Sequence, residues 1–170
     1  MGLQRLDFAE FYRSAADECL RTVLISVGDQ GTAQDLVDEA FARAWASWGT
    51  VSRHPAPKAW VVRTALNASI SRWRRRHREV LVSDPGTVAD PPANGGASDS
   101  FVDPKIMAAL MRLSARQRQV VALRLILDLD TGRSAEVLGI APGTVMAHLG
   151  RAMAALRNDL KPERQEETRP

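Results

Sequence analysis

The chain has 170 residues, 45% hydrophobic and 25% charged, with a net charge of +3 and a single cysteine. This supports one or two small cores and excludes an intramolecular disulfide; Cys19 fits a reducing, cytoplasmic compartment, and no apolar run is long enough for membrane insertion. The small net charge hides an order: residues 1–50 carry eight acids and four bases, 51–78 eight bases and no acid, 79–104 five acids and no base, and 105–161 nine bases and four acids. Two basic blocks held apart by an acidic spacer suit a polyanion touched at two places, because Lys and Arg supply most non-specific affinity for phosphate. The same arithmetic also fits two solvated helical faces.

The periodicity predicts a first helix from Asp7, its cap, to Val27, with Phe8, Phe11, Tyr12, Ala15, Cys19, Leu20, Val23 and Leu24 on one broad face. Cys19 reads as a small core residue among these neighbours. Gly28 to Gly31 ends that helix, and a second runs from Thr32, its cap, to Trp48. Leu36, Val37, Ala40, Phe41, Ala44, Trp45 and Trp48 make its apolar stripe, while Asp35, Asp38, Glu39 and Arg43 lie on other faces. Acids early in a helix complement its positive N-terminus, and they also suit a basic partner.

Trp48 to Pro57 reads as a turn containing Gly49, Pro55 and Pro57. A third helix, Lys58 to Arg78, packs through Trp60, Val61, Ala65, Ala68 and Ile70. It leaves Arg63, Asn67, Ser71, Arg74 and Arg78 as a continuous polar stripe at spacings of three and four. Such a stripe can follow a phosphate backbone, with Asn67 and Ser71 adding hydrogen bonds. Trp60 reads as core, and Trp73, with charged neighbours, fits a stacking platform as well as core. Ser83 to Ser100 is rich in Pro, Gly, Ser and Asp and reads as a flexible linker.

After the linker, Pro104–Leu113 and Ser114–Leu127 read as helices, with Val120, Val121, Leu123, Leu125, Ile126 and Leu127 as core. A short helix to Leu138, a tight turn from Gly139 to Pro142 and a helix from Gly143 past Leu156 follow. Ala135, Gly139 and Val145 stand where a helix-turn-helix needs a small residue, a turn glycine and a branched lock. The second helix would then enter the major groove, presenting Thr144, Met146, Ala147, His148 and Arg151. His54, His77 and His148 are scattered and beside no cysteine, so no metal-ligand pattern exists. Neither a phosphate loop nor a nucleophile elbow is present; nothing indicates a catalytic site or a cofactor.

Asp35-Leu-Val-Asp-Glu-Ala-Phe-Ala-Arg-Ala-Trp45, then Ala59-Trp-Val-Val-Arg-Thr-Ala-Leu-Asn67 and the Arg-rich helix end, resembles region 2 of bacterial extracytoplasmic-function (ECF) sigma factors, of the actinobacterial sigma-E type. Leu113 to Arg124, Gly139 to Val145 and Arg151 to Arg157 resemble their region 4. The likeness covers nearly the whole chain outside linker and tail. It implies an all-α, non-enzymatic RNA polymerase subunit with two small helical domains. Residues 1–78 would bind core polymerase and the −10 element, 79–104 link, 105–161 read the −35 element, and 162–170 form a tail.

By the same resemblance, Asp35, Asp38, Glu39 and Arg43 meet the clamp helices of the largest polymerase subunits. Arg53, Lys58, Arg63, Asn67, Ser71, Trp73, Arg74 and Arg75 handle −10 DNA, with the loop from Gly49 to Pro57 capturing a flipped base. Arg124, Thr144, Met146, Ala147, His148 and Arg151 meet −35 DNA, the polymerase flap is a second docking point, and an anti-sigma factor is a further partner. Six positions depart from the family pattern. Met146-Ala147-His148 stands where relatives often carry Lys-Ser-Arg, Ser134 where the residue is usually apolar, Ala141 at a common Ser cap, and Asp38 at a common Gln. Two other readings stay open: a sigma-like adapter that binds polymerase or an anti-sigma partner with weak DNA readout, and a stand-alone helix-turn-helix regulator.

Overall fold

The structure, a computed structural model, describes residues 2–83 and 102–161, and every regular element among them is helical. Most of the expected linker and all of the expected tail lie outside the described residues. Helix α1, Gly2–Val27, begins earlier than predicted, so Asp7 lies inside it rather than capping it. It stops at Gly28, whose φ of 83° is left-handed and where a Cβ would come within 2.8 Å of Met111 Sδ.

Helix α2, Gln30–Ala46, is capped by Asp29 rather than Thr32. Extended backbone at Asp29 lets its carboxylate accept the Thr32 N–H at 2.8 Å, which makes Thr32 the partner of the cap. The predicted turn contains a short helix, α3, Trp48–Val51, because Trp48 and Val51 are both buried and the indole lies 5.2 Å from Phe8 and 5.1 Å from Phe11. Helix α4, Pro57–Ser83, continues beyond Arg78. Cys19 is buried between these helices, and loss of solvent raises its thiol pKa to about 12, consistent with a core role.

Among the C-terminal helices, α5, Pro104–Met111, starts with Pro104 behind an Asp103 cap, and α6, Ala115–Val121, carries a capping box between Ser114 and Gln117. The chain then widens into a π-helical turn, Ala122–Ile126, closed by the Leu127 N–H on the Ala122 carbonyl at 3.1 Å. This rotates Leu125 outward to 55% exposure, against the expectation that it is core. Tyr12 on α1, Trp45 on α2 and Ile70 on α4, also expected to pack, are partly exposed, at 42%, 43% and 41%; the Trp45 ring is covered on one side by Phe8 at 5.0 Å. Helix α7, Thr131–Leu138, is capped by Asp130, and α8, Pro142–Asp159, completes the fold.

The N-terminal and C-terminal helices share apolar cores. Leu123, Leu127 and Val137 join the cluster built by α1, α2 and α4, while Ile25 of α1 is buried with Leu110, Leu113, Val121 and Leu156. Helix α1 lies against α5, α6 and the π turn, and α7 lies against α4. A third, smaller cluster of Val120, Ala135 and Val145 holds α6, α7 and α8 together.

Candidate nucleic-acid interface

Burial of Leu36, Val37, Ala40 and Ala44 on one side of α2 leaves Asp35, Asp38 and Arg43 exposed on the other. Gln34 steadies Asp38 through a 2.9 Å hydrogen bond. Glu39 is half-buried and accepts from two arginines, Arg43 at 2.6 Å and Arg72 of α4 at 2.8 Å. It therefore ties the acidic helix to the basic one.

On α4 the packed side buries Val61, Val62, Ala65 and Leu66, and the opposite side exposes Arg63, Asn67, Ser71, Arg74 and Arg78 as the spacing predicted. The Ser71 hydroxyl donates to the Asn67 backbone carbonyl at 3.1 Å, one helical turn back. Trp73, 49% exposed, stacks on His77 with centroids 4.7 Å apart, and so presents a flat aromatic surface among arginines. Trp60 is only partly covered and packs against the core. Arg53 is exposed in the turn after α3, whereas Lys58 is half-buried and paired with Glu18 of α1 at 2.6 Å.

Two open clefts flank the Arg-rich end of α4. One is lined by Glu39, Arg43, Asn67, Ser71, Arg72 and Arg75, the other by Thr32, Asp35, Arg72, Arg75 and Arg76. Arg72 and Arg76 were absent from the candidates read from the sequence. The run from Arg72 to Arg76 gave the composition signal, but which arginine faces α2 depends on the packing of two helices.

In the C-terminal part, Gly139 adopts φ 63° and receives the end of α7, with the Ile140 N–H bonding the Ala135 carbonyl at 3.1 Å. Ala135 and Val145 pack together in one buried cluster, so the small residue, turn glycine and lock residue stand in a helix-turn-helix arrangement. The N-terminal half of α8 exposes Thr144, Met146, Ala147 and Arg151. His148 is half-buried, with its Nδ1 covered and without a partner. Arg124 stands apart from them: it is half-buried in the π turn and its guanidinium donates to the Leu129 carbonyl, bracing the loop before α7. Ala141 caps α8 without any side-chain hydrogen bond.

Residues 11–79 match the model of sigma-70 region 2, and residues 104–156 match that of sigma-70 region 4. The chain is 32% identical to the RNA polymerase sigma-E factor of Streptomyces coelicolor over 91% of its own length and 86% of that protein's. The chain belongs to the ECF sigma factors. This sigma factor is also 32% identical to the ECF RNA polymerase sigma factor SigL of Mycobacterium tuberculosis, over 83% of its own length and 81% of the relative's. Among solved structures, it resembles the sigma factor RpoE of Bartonella quintana, crystallised in complex with the anti-sigma factor NepR. That match has a TM-score of 0.73 and 28% identity and covers 93% of this chain and 99% of that one. As a sigma factor the chain is not an enzyme; it directs RNA polymerase in promoter recognition. No helix among the described residues is long and apolar enough to cross a membrane.

Proposed function

We propose that this sigma factor meets core RNA polymerase through the exposed side of α2 and promoter DNA through α4 and α8. Residues 1–78 then serve the polymerase and the −10 element, and residues 105–161 the −35 element. The observation that carries this reading is the exposed stripe from Arg63 to Arg78, flanked by the Trp73 surface and by arginine-lined clefts. Cationic side chains alternating with an accessible aromatic ring suit a strand whose bases have left the duplex. Stacking lost on melting is then recovered on protein, and the guanidiniums neutralise phosphates. Asp35, Asp38 and Arg43 are the polymerase contacts in this reading, and Glu39 positions Arg72 and Arg43 between the two surfaces.

Replacing Arg74 and Arg75 together with alanine tests the assignment. Both side chains are exposed, so the fold should persist. Transcription from the chain's own promoters is expected to disappear while association with core polymerase continues. Loss of polymerase association in the same variant would overturn the division of roles between α2 and α4. By analogy with the Bartonella complex, an anti-sigma protein is a further proposed partner, detectable by co-purification from the source cell.

A further inference from the structure

Given that α8 reads promoter DNA, its own side chains restrict what it can read. From Pro142 to Gly150 the helix carries no Lys, Arg, Asp or Glu and no Asn or Gln. The bidentate donors that select guanine and the amides that select adenine are therefore missing from the turns that would lie deepest in the groove. Thr144 and His148 are the hydrogen-bonding side chains there, and His148 is half-buried.

Between them stands Met146, 54% exposed and held at its root by the adjoining buried Val145. Its Sδ accepts the Thr131 hydroxyl at 3.4 Å, which steadies the thioether between the start of α7 and the outer face of α8. Ala147 is exposed beside it, and a Cβ added at Gly143 or Gly150 would meet nothing within 4 Å. Internal packing imposes neither glycine, and together they keep the outer face of α8 low on both sides of Met146.

We propose that Met146 is a specificity-determining residue that recognises a thymine in the upstream promoter element through van der Waals contact with its 5-methyl group. The thymine methyl is the one apolar feature on the major-groove edges of the four bases, and it is the feature that an exposed thioether matches. Thr144 and Arg151, exposed on the same helix, then hold the phosphates on either side of the contact.

The test begins with holoenzyme assembled from the full chain and core polymerase, used to select start sites from fragmented genomic DNA. Each thymine of the upstream element in a selected promoter is then replaced by deoxyuridine, which removes only the methyl group. At one position the change should weaken open-complex formation about fourfold, the scale of one buried methyl. The same replacement should have no effect with Met146→Ala, while Met146→Arg should shift preference at that base pair toward guanine. Uniform indifference to deoxyuridine, or an equal loss in wild type and Met146→Ala, would overturn the methyl contact and leave promoter selection standing. Failure to select any promoter would instead remove the reading of α8 on which the inference rests.

Discussion

Ser134 is fully buried in α7, and its hydroxyl has no hydrogen-bond partner. An unpaired buried hydroxyl costs about 1–3 kcal/mol, whereas an alanine there would lose almost no contact. Ser134→Ala is therefore expected to stabilise the chain by about 1 kcal/mol, read as a melting temperature roughly 2–4 °C higher. Asp29 shows the opposite case, a polar side chain fully used. The Thr32 hydroxyl and N–H hold its carboxyl below the ordinary value of 3.8. A depressed folded-state pKa contributes stability that is present above 3.8 and is lost as pH falls through the lower folded value. Asp29→Ala should thus cost about 1 kcal/mol near neutrality, and the difference from wild type should shrink in melts recorded below about pH 4.

At the level of elements, long helices with strong apolar periodicity were legible: α1, α2 and α4 bury most of the faces that their spacing assigns, with Tyr12, Trp45 and Ile70 as exposed exceptions. Their ends were less so, since Asp29 displaced Thr32 as the cap and buried aromatic contacts drew Trp48 to Val51 into a helix. The π turn could not be read from its residues, because Leu123, Leu125, Ile126 and Leu127 look alike in sequence while only the widened turn separates them. The polar stripe of α4 was legible for the same reason as its packed side. Arg72 was not, because its role depends on reaching Glu39 across 33 positions of chain. That link is more a matter of placement than of stability. Each partner is at least a third exposed, and exposed pairs contribute about 0–1 kcal/mol. Glu39→Gln is expected to leave the melting temperature within a few degrees of wild type. It should nevertheless weaken competition for core polymerase, measured against a second sigma factor; unchanged competition would confine Glu39 to a structural tie.

Over the whole molecule, the shared cores are the largest feature that sequence could not supply. Leu123, Leu127 and Val137 serve equally well, on paper, as the interior of a separate C-terminal domain. In the structure Val137 belongs to the N-terminal cluster and not to the Val120, Ala135 and Val145 cluster that holds the helix-turn-helix. A charge at this position should therefore part the two halves before it melts either one. Val137→Asp is expected to keep the helical circular dichroism while raising the radius of gyration by several Å above the roughly 16 Å of a compact chain of this length. An unchanged scattering profile would show that α1 alone holds the halves together.

The stretch of α1 around Ile25 also buries two hydroxyls, Thr22 and Ser26, and each donates to a carbonyl of its own helix at 2.7 Å. Neither depends on a neighbouring helix for its partner, so neither hydroxyl loses its hydrogen bond when this stretch meets water. The side chains shared between the halves, Ile25, Leu123, Leu127 and Val137 among them, are aliphatic, so the area they bury opposes separation. A partner that binds only the parted form, present at a hundred times its dissociation constant, supplies about 2.7 kcal/mol toward it. Substitution of a single aliphatic residue in the joint is expected to shift that balance in the same way, without unfolding either half.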